Sequence, residues 1–380
     1  MKQSQRLLYL DLMRVVAMVM MIMGHSFFDL VRPNLVNTSQ FPWSVWEFLR
    51  GLTAPMFLFI SGIVQVFANK REQHKLPKET VYKRIRTSLL LIFLAYFLNF
   101  PVQKAFHIIF QSKQNLIPFF QVNILQIIGL TLLWVLFYFL ITKNNLQLGR
   151  ISLWTGIFIF ALTPLVHLID WYNILPLPIA PYFSVEKGSY FTIFPFSGFT
   201  FFGVTFGTYL ERFELTQRAN VIIKYGFRLF SIVLPLGIAV YIFINSFSLP
   251  FYDVFKANSG ISIVRLACVL ALLSLLVLLY KKYLYNFDFV QKVSTTLGKN
   301  ALFVYVVHLI ILYGLPWYPG FATIFNQSLD LLPSFAASLL VVFISFSLVF
   351  ILEDFTSKKR FLKPVFRYGV VSLLILLMLV

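Results

Sequence analysis

The sequence predicts an all-α protein, a polytopic transmembrane helical bundle of 10–11 spans with a cytoplasmic N-terminus. Of the 380 residues, 59% are hydrophobic and only 12% are charged, and the mean hydropathy is +0.81. A water-soluble domain has a more polar balance. The apolar residues also fall in runs of about 20, the length that a helix needs to cross a bilayer. Because no long polar stretch remains, we expect a single domain over residues 1–380.

Ten of these runs are long enough to span the membrane, and a last one is short. The first run is a retained helix and not a cleaved signal peptide, because Asp11 and Arg14 interrupt it and no small-residue cleavage pattern follows. The C-terminal tail, 350–380, ends in the short apolar run 368–380, which can form a short last span, a tilted partial span or an interfacial helix. The ten predicted spans lie near residues 9–31, 45–69, 87–106, 119–142, 151–169, 191–210, 229–247, 259–280, 297–315 and 333–353.

The basic residues indicate the orientation. Most of the 32 Lys and Arg fall in alternate loops, on the same side as the N-terminus, and such an excess marks the cytoplasmic side. The most basic loop, 70–86 (KREQHKLPKETVYKRIR), contains Lys83 and Arg84. It either sets the topology or contacts a polyanionic cytosolic ligand or lipid headgroups. The formal charge of +18 does not indicate a nucleic-acid partner, because these cations lie in short loops between apolar runs.

Ionisable residues in the first span are the strongest functional signal. Such groups cost about 2.5–3.5 kcal/mol each inside a membrane, so they need a partner or a function. Arg14 and His25 are separated by about three helical turns, so they share one face about 16 Å apart along the helix axis. Asp29 follows His25 by one turn, and we expect its carboxylate to accept a hydrogen bond from the imidazole of this base. In the alternative interpretation, Asp11 pairs with Arg14, and His25 is a satisfied interfacial histidine.

Two further groups of polar residues lie in predicted spans. Glu47 and Arg50 begin span two, and Arg265 lies in span eight, so we expect all three near the outer membrane face. They either contact substrate and a developing oxyanion, or neutralise charge inside the bundle. Asn300 and His308 lie in span nine, where we expect them on one helix about 80° apart. A lone histidine in such a helix is more often a packing residue than a catalytic one.

No metal or nucleotide motif is present in the sequence. The five histidines include no pair spaced by four residues and no HExxH, and the single Cys268 lies in an apolar run, so we expect no metal site and no internal disulfide. The glycine patterns of nucleotide-binding loops and of serine hydrolases are also missing.

The segment RLLYLDLMRVVAMVMMIMGHSFFDL resembles the opening of the heparan-alpha-glucosaminide N-acetyltransferase family of transmembrane acyltransferases. Arg14 and His25 also fit the R-x10-H pattern of the related acyltransferase family 3. The resemblance covers spans one to nine in order, through the further segments APMFLFISG (54–62), ILQIIGLTLL (124–133), FPFSGFTFFGVTFGTYL (194–210) and LGKNALFVYVVH (297–308). One departure is the outer loop 31–44, which lacks the histidine that the animal heparan enzyme has there.

This resemblance implies an enzyme that moves an acetyl or other acyl group from cytosolic acyl-CoA to a sugar amine or hydroxyl of an extracytoplasmic or membrane-bound glycan. By position, it implies that His25 is the catalytic base and Asp29 its orienting acid. Arg14 would contact the donor, and Asn300 with His308 would form a polar pair near the acyl path.

Several alternatives and partners stay open from the sequence. Lys83 and Arg84 are further candidates for binding the acyl-CoA, and Arg50, Arg265 or Asn300 for the oxyanion. The sequence looks closer to bacterial members of the family than to the animal enzyme, which predicts the bacterial inner membrane, and a homo-oligomer stays open. The main alternative function is a transporter or flippase for a lipid-linked sugar or small anion, in which the same charges line a permeation path.

Overall fold

The computed structural model describes residues 7–99, 116–315 and 318–358, and these residues are mostly helical. The only two strands among them, β1 (Gly314–Leu315) and β2 (Tyr318–Pro319), form a minimal antiparallel hairpin. The helices are α1 (Leu8–Leu30), α2 (Trp43–Arg50), α3 (Thr53–Ala68), α4 (Lys78–Leu98), α5 (Ile117–Phe120), α6 (Ile124–Ile141), α7 (Asn145–Val166), α8 (Trp171–Ile174), α9 (Ile193–Leu210), α10 (Leu215–Asn245), α11 (Val254–Ala257), α12 (Ser259–Leu279), α13 (Asp288–Lys299), α14 (Ala301–Tyr313), α15 (Phe321–Phe325) and α16 (Leu331–Lys358).

The predicted all-α, polytopic class is confirmed. In the described part of the chain, 8 segments are long and apolar enough to cross a membrane, or up to 9 if the bent pair α13 and α14 forms one span. The chain is therefore an integral membrane protein. Helix α4 corresponds to the predicted span 87–106 but begins at Lys78, because the basic run 78–86 is helical too. The short run 368–380 lies outside the described residues.

Span two, predicted as one helix over 45–69, consists of α2 and α3. Helix α2 ends at Arg50, and the chain turns through Gly51 and Leu52 before α3 begins at Thr53. The Thr53 hydroxyl donates to the carbonyl of Arg50 at 3.0 Å, which satisfies one of the carbonyls left free where α2 ends. Glu47 and Arg50 thus lie on a short helix of their own.

Span nine is broken at Asn300, so the prediction that Asn300 and His308 share one helix is wrong. Helices α13 and α14 meet at an angle of 77°. Asn300 lies between them, and its side-chain amide donates to the Thr296 carbonyl and the Glu353 carboxylate, both at 2.9 Å. Asparagine competes with the helix by such side-chain bonds, and Gly298 two residues earlier weakens the last turn of α13 further.

The chain divides into two compact units, and the first contains the described residues 7–53, 282–315 and 318–358. In this unit α1 packs against α13, α14, α15 and α16. The end of α1 is tied to the segment before α16, because the Arg32 amide donates to the Leu329 carbonyl at 2.9 Å. The Arg32 guanidinium also lies 3.0 Å from the Asp330 carboxylate. These contacts fix the C-terminal end of the first helix.

The second unit contains the described residues 54–99 and 116–281. Its helices pack in pairs: α4 with α6, α7 with α9, and α10 with α12. Helices α3 and α9 cross with glycines at the contact, where a Cβ on Gly62 would lie 2.1 Å from the Thr200 carbonyl oxygen and one on Gly203 would lie 2.0 Å from that of Phe59. Small residues allow such close backbone approach between membrane helices. Both glycines belong to the segments on which the family resemblance rests.

Arg71 joins the loop after α3 to the end of α6 within this unit. Its guanidinium donates to the carbonyls of Phe139 (2.9 Å) and Thr142 (2.6 Å), and to the Thr142 hydroxyl (2.7 Å). It also donates to the side chain of Asn145 at 3.1 Å, on the first turn of α7. Arginine satisfies the last carbonyls of a helix in this way, so Arg71 is a structural clamp.

Candidate functional site

Two histidines meet in the first unit, His25 on α1 and His308 on α14. Their ring centroids lie 5.8 Å apart, with the ring planes at 53°. His25 is exposed, whereas His308 is fully buried, with the Tyr305 ring at 5.5 Å. The pair therefore joins an accessible imidazole to one that is shielded from solvent.

The tautomer of His308 follows from the hydrogen bond at its Nδ1. Its Nδ1 lies 3.2 Å from the Val304 carbonyl oxygen, and a carbonyl can only accept. The proton of the neutral ring is therefore on Nδ1, and Nε2 has the lone pair. Nε2 is buried and has no hydrogen-bond partner among the described residues. A buried polar atom without a partner is uncommon in a folded protein, so this nitrogen makes His308 a candidate site residue.

Asp29 has a different partner from the predicted one. The Tyr313 hydroxyl donates to its carboxylate at 2.6 Å, and no hydrogen bond joins Asp29 to His25 within the described chain. The expected carboxylate–imidazole hydrogen bond is therefore not formed, and the end of α14 provides the phenol that binds Asp29 instead. Its charge still acts on His25 electrostatically. Nothing in the sequence indicated a role for Tyr313, because it is distant from Asp29 in the chain and belongs to no recognisable motif.

Arg50 and Glu47 form an ion pair beside His25. The Arg50 guanidinium lies 2.7 Å from the Glu47 carboxylate and 4.6 Å from the centroid of the Phe28 ring. The other Glu47 oxygen is buried without a partner among the described residues. Gly24, next to His25, makes room for Arg50, because a Cβ there would lie 2.8 Å from the Arg50 Cγ. The predicted closeness of Glu47 and Arg50 is present, and the Arg50 charge acts on His25.

Arg14 lies on α1 together with His25 but is paired with an acidic residue. Its guanidinium lies 3.0 Å from the carboxylate of Asp11, which is 2% exposed. Gly298 lets α13 approach this pair, since a Cβ on Gly298 would lie 2.7 Å from the Asp11 carboxylate. The Asp11–Arg14 pairing of the alternative interpretation is thus present, and a donor-binding role for Arg14 stays a prediction.

Three other predicted site residues belong to the second unit. Arg265 is 8% exposed, and its Nη1 donates to the Phe255 carbonyl at 3.1 Å. Arg84 donates to the Asn69 side chain (2.6 Å) and to the Ala68 carbonyl (3.0 Å), which satisfies the end of α3. Lys83 is exposed. For Arg84 these contacts describe a helix cap, while its binding of a donor stays a prediction.

No group of three or more His, Cys, Asp or Glu that could hold a metal ion occurs among residues 7–99, 116–315 and 318–358. The first unit brings together an exposed imidazole, a buried imidazole with a lone pair, a carboxylate and a guanidinium. Such groups can transfer protons and stabilise developing charge.

The fold defines a polytopic membrane protein, and these groups form a candidate acid–base site in its first unit. The chain belongs to the heparan-alpha-glucosaminide N-acetyltransferase family, because the model of the catalytic domain of that family matches residues 6–252. It is thus a membrane acetyltransferase. The match includes His25, Asp29 and Arg50 but ends before Asn300 and His308. His308 is therefore a candidate only because its ring lies beside that of His25. No protein of curated function matches the chain.

Proposed function

We propose that the chain transfers an acetyl or other acyl group from cytosolic acyl-CoA to a sugar amine or hydroxyl of an extracytoplasmic or membrane-bound glycan. The observation that supports this most is the pair of His25 and His308 in a chain of an acetyltransferase family. A thioester is already activated, so the enzyme has to position the acceptor, remove its proton and stabilise the oxyanion.

In the proposed reaction His25 removes the proton from the acceptor, since its ring is accessible. The acceptor nitrogen or oxygen bonds to the thioester carbonyl carbon, the carbon–sulfur bond breaks, and CoA leaves as a thiol after taking up the proton from His25. His308 acts through His25 by keeping a neutral ring and a lone pair beside it. Asp29 stabilises the imidazolium, and Arg50, paired with Glu47, stabilises the oxyanion.

The remaining predicted residues complete the proposal. Arg14, Asn300, Lys83 and Arg84 contact the donor, whose phosphates favour the basic loops, and Arg265 contributes to the acceptor or oxyanion side. The N-terminus and the loop 70–86 are cytoplasmic, and the membrane is the bacterial inner membrane. We further propose one domain over residues 1–380, with the oligomeric state open.

The purified protein in detergent, labelled acetyl-CoA and a panel of amino sugars and oligosaccharides test this function. We expect transfer by the wild type, and a loss of about 10²–10⁴-fold in His25→Ala with acetyl-CoA binding retained. His74→Ala is the matched control, since His74 is exposed in the loop after α3, and it should keep full activity.

Two outcomes would contradict the proposal. A stable acyl-enzyme that forms without acceptor would replace direct transfer by a relay through an acylated histidine. Movement of a lipid-linked sugar or anion across vesicles containing the protein, with no dependence on acyl-CoA, would instead support the transporter.

A further inference from the structure

A cluster of cations lies at one end of α9 and α10 in the second unit. Tyr209, the second-last residue of α9, packs edge-on against Tyr225 of α10, with ring centroids 5.2 Å apart. Arg212 lies 5.9 Å from the Tyr209 ring, while Lys224 and Arg228 each lie 5.8 Å from the Tyr225 ring. All three cations are exposed, whereas both tyrosines are half-buried.

These three cations have no acidic counter-charge within ion-pair distance in the described chain. Glu211 and Glu214 are close in sequence, but the Glu211 carboxylate accepts from the Asn145 side chain instead. Three like charges around one tyrosine pair repel one another, and an anion bound among them would reduce this repulsion. Arginine and lysine are the donors that a phosphate group needs, and the Tyr209 and Tyr225 hydroxyls, which are hydrogen-bonded to each other, lie beside them.

The position of the cluster along α10 indicates what presents this phosphate. Helix α10 has 31 residues, which gives about 46 Å of length at about 1.5 Å per residue, against about 30 Å for the hydrocarbon core. Its charged residues end at Arg228, and the run 229–245 contains none. The cluster therefore lies at headgroup level, where tyrosines and basic residues anchor membrane helices.

The side of α10 beyond the cluster is not covered by the described part of the chain. Only 6% of its apolar window is buried. Ile232 and Leu236 follow Arg228 at steps of four residues, so the three form one stripe on the helix, and the two apolar side chains are 60% and 53% exposed. An acyl chain can lie along this stripe while its phosphate meets the cations. The nucleotide of free CoA is polar, so it would gain nothing from contact with this apolar stripe.

We propose that Arg212, Lys224 and Arg228, with Tyr209 and Tyr225, bind the phosphate of an anionic phospholipid whose acyl chain lies along Ile232 and Leu236. The site is on the same side of the membrane as the basic loops, so it selects lipids of that leaflet. It is separate from the histidine pair in residues and in chemistry.

Native mass spectrometry of the lipid-stripped full chain in detergent, titrated with phosphatidylglycerol or phosphatidylcholine, tests this site. We expect a tight first phosphatidylglycerol, and binding weaker by about tenfold or more in the triple variant R212Q, K224Q and R228Q. The matched control K75Q, K78Q and R86Q removes three exposed cations elsewhere in the unit and should keep the tight site. Equal losses in the two triple variants would overturn the proposal.

Two further experiments identify the ligand and keep the test valid if the triple variant misfolds. If CoA displaced phosphatidylglycerol, and the triple variant raised the KM for acyl-CoA, the cluster would be a donor contact and the lipid proposal would fail. In the unmodified protein, a photoreactive phosphatidylglycerol should label residues between 212 and 236. Labelling confined to other segments would also overturn the proposal.

Discussion

His25 and His308 form a pair in which one imidazole is exposed and the other is fully buried, with ring centroids 5.8 Å apart. The buried ring keeps the lone pair on Nε2 because its one proton is on Nδ1, which donates to the Val304 carbonyl. We expect His308→Asn to lower kcat by about 100-fold, because asparagine can keep the donor to Val304 but has no Nε2. Unchanged kcat, at an unchanged thermal midpoint, would show that His308 only fills space.

Gly24 positions Arg50 next to His25. Since a Cβ at Gly24 would lie 2.8 Å from the Arg50 Cγ, Gly24→Ala has to displace this side chain. We expect kcat to fall about tenfold, because misplaced catalytic groups cost one to two orders of magnitude. In the double variant Gly24→Ala, Arg50→Gln the two losses should not add, since both act on the same side chain. Fully additive losses would contradict a role through Arg50.

The hydroxyl of Tyr313 holds the Asp29 carboxylate at 2.6 Å. Tyr313→Phe removes this donor without changing the ring, so we expect kcat/KM to fall by about 10-fold or more, since a hydrogen bond to a charged group is worth about 1.5–3 kcal/mol. Tyr318→Phe, a change on an exposed tyrosine of the same hairpin region, is the control. If Asp29→Asn lowers activity but Tyr313→Phe does not, the hydrogen bond is dispensable for the reaction.

Arg71 is expected to stabilise the second unit. Arg71→Lys keeps the charge but loses the planar fork that reaches Phe139 and Thr142 together. We expect the thermal midpoint in detergent to fall by several degrees, since each lost bond to a charged donor is worth about 1.5–3 kcal/mol. Lys75→Gln, which removes an exposed cation from the same loop, should leave the midpoint unchanged.

We expect the stability of the protein to depend on pH through His167, the residue just after α7. Its Nε2 lies 3.0 Å from the Phe194 carbonyl, and burial lowers the pKa of His167 below its usual value of 6.5. The unfolded chain therefore takes up a proton first as the pH falls, so stability is full above about pH 6.5 and decreases below it. The thermal midpoint of His167→Gln should decrease less between pH 7 and pH 5. Parallel curves for both proteins would refute this.

The helical period by itself was enough to place Arg14, His25 and Asp29 along α1, because that helix is unbroken from Leu8 to Leu30. The same reasoning failed where a span breaks. Asn300 and His308 were expected on one helix, yet a 77° bend separates α13 from α14. Periodicity assumes a continuous helix, and the side-chain bonds of Asn300 that satisfy the break involve Glu353, far along the chain.

Hydropathy determined the membrane class and most spans, since the cost of apolar surface in water depends on composition and run length alone. Only the tertiary structure brought His308 to His25, and brought Tyr313 to Asp29 across a separation of 284 residues. Such pairs form when packed helices bring distant segments together, and neither spacing nor composition contains that information. The first helix supplies the candidate base, and the packing of α14 against it decides which groups surround that base.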